Sequence, residues 1–175
     1  MSVPSSSDRL IYTVPSPADA RPELLAIREW RVCEQFPPGE VFLTSLNGEQ
    51  VWLGPVFESP WSPDEPPGAS AGVHAFKRWP RRKLWKDGWF FGPQTWAWGW
   101  VALSGLVEET TGGYRAQVAV IRQLRLGPAT LAIFPSRKAA RGYVAEELEE
   151  RYQCPVKIGY HEWRVSRTMI HSKGR

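Results

Sequence analysis

The sequence predicts a single α+β domain, rich in antiparallel strands, with one long helix in its C-terminal half. Short runs of alternating apolar and polar residues recur along the chain, separated by turn signals with glycine, proline or asparagine. Residues 136–152 instead carry apolar side chains at a spacing of four, which is typical of an amphipathic helix. The length of 175 residues suits one domain with a hydrophobic core.

Three regions are predicted: a flexible N-terminal tail at 1–20, a globular domain at 21–167 and a basic tail at 168–175. The first region is rich in serine and proline. It lacks the basic and apolar parts of a secretory signal, and no run of about 18 apolar residues occurs in the chain. We therefore expect a cytoplasmic protein that does not bind membranes.

The first elements of the domain are predicted to be a short helix and a strand. Pro22 suits the first turn of a helix that carries Leu24, Leu25 and Ile27. The stretch "EWRVCEQF" alternates as a strand does, with Trp30 on one face and its neighbours on the other. The stretch "EVFLTSLNGEQVWLGPVF" then indicates a hairpin with an Asn-Gly turn.

The middle of the chain predicts a loop, a short helix and a long hairpin. The loop covers residues 58–72, which hold four prolines and two glycines. The stretch "VHAFKRW" is expected to open a short helix limited by Pro80. Residues 95–126 are expected to form an antiparallel hairpin that turns at Thr110–Gly113. The residues expected on the buried face of its second arm are Ala116, Val118 and Val120.

The helix at 136–152 carries an unusual distribution of charge. Its buried face is expected to hold Ala140, Val144, Leu148 and Tyr152. Basic residues crowd its first turns and glutamates its last ones, which opposes the helix macrodipole. We predict an anion-binding site at this N-terminus, formed by Ser136, Arg137, Lys138 and Arg141. The alternative is a surface helix whose charges pair with distant elements.

The stretch "KRWPRRKLWKDGWFFGPQTWAWGW", residues 77–100, concentrates the positive charge of the chain. It holds six of the 22 basic residues and one of the 18 acidic ones, so the remainder has 16 basic and 17 acidic residues. It also holds six of the ten tryptophans. Such a patch attracts phosphate or an acidic partner.

Indole rings among cations suit nucleic acid, because bases stack on indoles while the cations hold phosphates. The predicted contact residues are Arg81, Arg82, Lys83, Trp85, Lys86 and Trp89. The alternatives for this N-terminal part of the stretch are a surface for a protein partner and internal packing. The last three tryptophans alternate with small residues at the period of a strand, so we expect them to pack in the core or across strands. They are Trp96, Trp98 and Trp100.

Three pieces of the sequence, "GVHAF", "SGLVEETTGGYRAQVAVI" and "EELEERYQCPV", resemble a set of small uncharacterised proteins of actinobacteria and related bacteria. In that set the first piece is commonly Gly-Ile-Tyr-Ala behind a cysteine pair, and the second resembles a Gly-Tyr-Arg-Ala-Glu strand. The match covers about a third of the chain. His74 stands in the place of tyrosine and Gln117 in that of glutamate, and "GASAG" has no cysteines. The resemblance implies a shared fold.

The order of elements also resembles the ADP-ribosyltransferase fold, with Arg31 on an early strand and an aromatic residue in a later Gly-x-aromatic-Ala piece. In that family the aromatic residue stacks nicotinamide and a late glutamate polarises the ribose. His74 and Gln117 would occupy those places and would do that work poorly. The resemblance therefore implies a descendant that binds NAD without turnover.

No other catalytic or cofactor motif is present. Cys33, His74, Cys154 and His161 lack the short paired spacing of a zinc site, and the cysteines are expected to be separate thiols. The glycines match no P-loop or dinucleotide fingerprint. We therefore expect a binding module without cofactor, metal or small-molecule ligand. Its leading partner is nucleic acid, and a larger protein assembly is the second.

Overall fold

The structure is a computed structural model and describes residues 9–16, 23–35, 40–46, 48–65, 71–78, 96–126 and 140–158. These ranges contain nine strands and one helix. The strands are β1 (Leu10–Val14), β2 (Leu24–Gln35), β3 (Glu40–Thr44), β4 (Val51–Trp52), β5 (Val56–Glu58), β6 (Val73–Phe76), β7 (Trp96–Glu109), β8 (Gly113–Leu126) and β9 (Val156–Ile158). The helix, α1, covers Ala140–Tyr152.

The strand-rich, antiparallel α+β class is confirmed for the described part of the chain. The helix is short, with 13 residues, whereas the sequence predicts a long one. Its buried face is the predicted one, because Val144, Leu148 and Tyr152 are almost completely buried. The hydroxyl of Tyr152 donates to the Trp52 carbonyl at 2.6 Å and accepts from the Leu43 amide at 2.8 Å. These two bonds hold α1 against the β3–β4 hairpin.

All nine strands belong to one sheet, which closes on itself. Its main order is β1-β7-β8-β6-β2-β3-β4, with β5 and β9 also paired to β8. Ile27 of β2 lies opposite Trp100 of β7 on one edge and opposite Phe76 of β6 on the other. The path from β2 through β7, β8 and β6 therefore returns to β2. The pairing of β8 with β9 is parallel, and the other described pairings are antiparallel.

The long hairpin of β7 and β8 and its turn are confirmed. The Thr110 amide donates to the Gly113 carbonyl at 2.9 Å, and the Gly113 amide donates to Oγ1 of Thr110 at 3.2 Å. The predicted alternation on the second arm is only partly right. The core takes Ala116, but then Ala119 and Ile121 in place of the two valines. Two register shifts interrupt the hairpin, and each disturbs the alternation of faces.

Three local predictions are wrong. Leu24, Leu25 and Ile27, expected in a helix, begin the 12-residue strand β2. The stretch expected to open a helix after the proline-rich loop is strand β6. Residues 10–14, expected in a flexible tail, form β1 and pair with β7. In each case a partner strand distant in the sequence supplies hydrogen bonds that outweigh weak local signals.

A buried arginine joins the two strands that close the sheet. Arg28 is 6% exposed, and its Nη1 donates to the His74 carbonyl of β6. Its Nη2 donates to Oε1 of Gln50 at 2.8 Å, and Nε2 of Gln50 donates to the Gly72 carbonyl at 2.9 Å. The guanidinium also lies 5.4 Å from the Trp52 ring centroid. Burial lowers the pKa of Arg28 to about 10, so the side chain stays protonated at neutral pH.

Gly99 permits a close approach of β7 to β8. A Cβ atom at this position would lie 1.9 Å from the carbonyl oxygen of Gln123, which belongs to the β8 backbone. Backbone cannot rotate away as a side chain can, so a methyl group here would force the two strands apart. The position therefore requires glycine because of space.

We expect Gly99→Ala to lower the free energy of unfolding by about 3 kcal/mol, because the methyl group meets backbone. The matched control is Gly54→Ala, since a Cβ there would meet nothing within 4 Å. The control should change stability by less than about 1 kcal/mol. Urea unfolding of both variants measures the difference, and equal stabilities would contradict the close approach.

Candidate binding surface

The predicted contact residues lie mostly outside the described residues. This holds for Arg81, Arg82, Lys83, Trp85, Lys86 and Trp89, and also for Ser136, Arg137 and Lys138. Arg141 belongs to α1, but its side chain is not described. The described structure instead shows where residues 77–95, which we call the basic segment, join the sheet and which side chains stand there.

Both ends of the basic segment are attached to β2. Phe76, the last residue of β6, lies opposite Ile27, and Trp96, the first residue of β7, lies opposite Arg31. These two positions of β2 are four residues apart, which is about 13 Å along a strand. The first cation of the segment, Lys77, is used internally, because its Nζ lies 2.7 Å from Oε1 of Glu109. That contact lowers the pKa of the Glu109 carboxyl.

The three tryptophans of β7 pack across strands, but on the outer face of the sheet. The central hydrophobic cluster contains their small neighbour Ala97, which is fully buried. Trp98 is 3% exposed without belonging to that cluster, and Trp96 and Trp100 are half-buried. Packing is therefore the right prediction for Trp98, whereas its flanking indoles keep part of their surface accessible.

Charged side chains stand beside these indoles. Glu29 of β2 and Arg125 of β8 lie opposite Trp98 from its two sides, and Arg31 lies opposite Trp96. Cross-strand neighbours have Cβ atoms about 5 Å apart, so each charge is next to a ring. We call this side of the sheet the outer tryptophan face, and two of its members, Trp98 and Arg125, are buried. It consists of Glu29, Arg31, Trp96, Trp98, Trp100 and Arg125.

Two charged groups on this face are not fully compensated by the described residues. Burial raises the pKa of Glu29 to about 7, and no described residue lowers it. Arg31 has a buried Nε atom without a hydrogen-bond partner. Buried charges are normally paired, so a bound partner could supply the missing contacts.

Gln117 has a structural role. Its Oε1 accepts from the Leu106 amide at 3.0 Å, next to Gly105 at φ +75°, and its Nε2 donates to the Trp61 carbonyl at 3.1 Å. The amide thus replaces a ladder hydrogen bond lost at the bulge and holds the proline-rich loop. Each end of the side chain is therefore hydrogen-bonded to a backbone group of the protein itself, which differs from the ribose contact implied by the ADP-ribosyltransferase resemblance.

A second polar cluster lies near the hairpin turn, and the sequence analysis missed it. Glu108 and Arg115 lie opposite each other and are 6% and 5% exposed. Arg115 donates through Nε to the Ala71 carbonyl at 2.7 Å and through Nη2 to Glu65 at 2.9 Å. Its guanidinium also lies 4.8 Å from the centroid of Trp61. Counting outward from the predicted turn would have revealed the Glu108–Arg115 pair.

No family model, curated protein or solved structure matches this chain. Within the described ranges, no helix is long and apolar enough to cross a membrane. Cys33 and Cys154 are free thiols, as predicted.

We expect Glu29→Gln to stabilise the protein at alkaline pH. A folded-state pKa near 7 lies above the ordinary 4.5, so the contribution of Glu29 is most favourable below pH 4.5 and is lost as the pH rises to 7. The variant should therefore gain up to about 3 kcal/mol over the wild type at pH 8 and little at pH 4.5.

Guanidinium unfolding at several pH values measures this difference. The control is Glu58→Gln, the same change at an exposed position of β5. A constant difference between Glu29→Gln and the wild type across this range would show that the carboxylate is compensated in the folded state.

Proposed function

We propose that this protein is a non-enzymatic binding module whose leading partner is nucleic acid. The observation that carries the proposal is that the basic segment runs in sequence directly into Trp96, the first residue of the outer tryptophan face. On that face Trp96 and Trp100 are half-buried, and Arg31 lies opposite Trp96. Aromatic rings and guanidinium groups together are what single-stranded nucleic acid requires.

The proposed contacts divide into ionic and stacking ones. Arg81, Arg82, Lys83 and Lys86 hold phosphates, while Trp85 and Trp89 stack on bases. An ionic contact releases condensed counterions and is therefore weakened by salt. A stacking contact is largely insensitive to salt. This difference makes the two groups separable by experiment.

A protein assembly is the second candidate, and Glu29 favours it. A carboxylate on the outer tryptophan face repels phosphate, whereas a lysine or arginine of a protein partner would neutralise it. Such a cation would also interact with the neighbouring indoles. A degenerate NAD-binding protein remains a third alternative from the sequence, but the use of Gln117 by backbone groups gives it no support.

The N-terminus of the helix is part of the same proposal. Ser136, Arg137, Lys138 and Arg141 would hold an anion there, such as a backbone phosphate or an acidic side chain of a partner. Replacing the three cations by glutamine should weaken binding if the anion belongs to the partner.

We expect the affinity for short single-stranded oligonucleotides to fall linearly in log salt, with a slope of about −0.7 per phosphate contact. Arg81→Gln together with Arg82→Gln should flatten the slope by about 1.4, because two contacts are lost. Trp85→Ala should weaken binding by about 1–3 kcal/mol while the slope stays nearly unchanged. Fluorescence anisotropy over a range of salt concentrations gives both quantities.

The matched control replaces Arg122 and Arg151 by glutamine, since both form ion pairs outside the basic segment. It removes the same charge and should leave the slope unchanged. Absence of binding at low salt would rule out nucleic acid. A specific protein that co-purifies from the native host and is lost in Glu29→Gln would then support the second candidate.

A further inference from the structure

Two rows of residues cross the sheet at the turn end of the β7–β8 hairpin. In the first row, Glu108, Arg115 and His74 lie opposite one another on β7, β8 and β6. In the second row, Gly113 lies opposite Phe76, and Thr110 closes the turn. Positions two apart on a strand share a face, so both rows stand on the same side of the sheet.

A cavity of about 330 Å³ lies over these rows. Gly113 lines the cavity, and a Cβ there would lie 2.3 Å from the Ala75 carbonyl oxygen, so the close approach of β8 to β6 requires glycine. Arg9 forms part of the wall, next to Glu108. The volume is at the lower end of the range for small-molecule sites.

Two of the three charged groups that line the cavity are cations, and these suit an oxyanion. They are Arg9 and Arg115, with the side chain of Arg115 only 7% exposed, and the third group is the carboxylate of Glu108. Nε and Nη2 of Arg115 are hydrogen-bonded, but its Nη1 has Glu108 at 3.9 Å, which is too far for a hydrogen bond. Arg9 contacts Glu108 through Nε, at 3.3 Å, and its side chain is 35% exposed. Both guanidinium groups therefore retain N–H groups that can donate hydrogen bonds to a phosphate.

The side of the cavity formed by β6 suits a planar ring. His74 and Phe76 are both exposed, and each presents a flat side chain on the same face. Residues two apart on a strand are about 6.6 Å apart, which is room for one flat ring between two others. Exposed aromatic surface next to unfilled arginine donors is the combination that a nucleotide requires.

We propose that this cavity binds a nucleoside monophosphate unit, with its phosphate at Arg9 and Arg115 and its base beside Phe76. The unit is either a free nucleotide or the phosphorylated end of a nucleic-acid strand. Binding of a strand end rests on the proposed function, whereas binding of a free nucleotide does not. In both cases the proposed contacts are made by residues other than the predicted contact residues of the basic segment.

Calorimetric titration of the full chain with AMP, CMP, adenosine and inorganic phosphate tests the site. AMP and CMP should bind with one-to-one stoichiometry, and adenosine about tenfold more weakly than AMP. Arg9→Gln should weaken the binding of AMP about tenfold and leave the affinity for adenosine unchanged, because only the phosphate contact is lost. Phe76→Ala should weaken both AMP and adenosine by about fivefold or more.

The matched control is Arg122→Gln, which removes another arginine that pairs with one carboxylate, outside the cavity. Its AMP affinity should equal that of the wild type. Arg81→Gln with Arg82→Gln should also leave AMP binding unchanged, so failure of the cavity and failure of the basic segment are distinguishable. Absence of nucleotide binding at millimolar concentration overturns the proposal. So does wild-type AMP affinity in both Arg9→Gln and Phe76→Ala.

Oligonucleotides with and without a terminal phosphate distinguish the two sources. If the strand end occupies the cavity, the phosphorylated strand should bind about tenfold more tightly, and Arg9→Gln should abolish that preference. Equal affinity of the two strands, together with AMP binding, assigns the cavity to a free nucleotide.

Discussion

The closing of the sheet between β2 and β6 depends on the buried guanidinium of Arg28. The backbone ladder between these strands has a single residue pair, Ile27 with Phe76. Arg28 adds the hydrogen bonds to the His74 carbonyl and to Gln50 that a longer ladder would otherwise provide. A charge this deeply buried is costly, and the Trp52 ring and these acceptors offset that cost. A polar interaction thus helps to determine the overall topology of the sheet.

Strand pairing determines where the two proposed binding surfaces lie. The pairing of β6 with β8 places His74 and Phe76 next to the turn end of the hairpin, where the cavity lies. The pairings of β2 with β6 and with β7 attach both ends of the basic segment to β2, beside the outer tryptophan face. A module that binds a strand at one surface and a nucleotide at another would depend on both sets of pairings.

Small residues place the indoles of β7 on the outer face. Gly99 allows the β8 backbone to approach β7 closely. Ala97, which lies between Trp96 and Trp98 in the sequence, points into the hydrophobic core. The indoles then stand beside Glu29 and Arg31, whose charged groups are partly buried. No described residue lowers the pKa of Glu29, and Nε of Arg31 has no hydrogen-bond partner. Burial of such groups costs stability.

The sequence by itself determined the class of fold, the hairpin with its turn at Thr110–Gly113 and the buried face of the helix, because these depend on local periodicity and turn chemistry. It also showed the basic, tryptophan-rich segment, since composition is local. Only the tertiary structure decided that Leu24 begins a strand, because its hydrogen-bond partners are distant in sequence. The bulge at Gly105, the role of Gln117 and the row through Arg115 likewise depend on register. Register is set by three-dimensional pairing, which no local pattern contains.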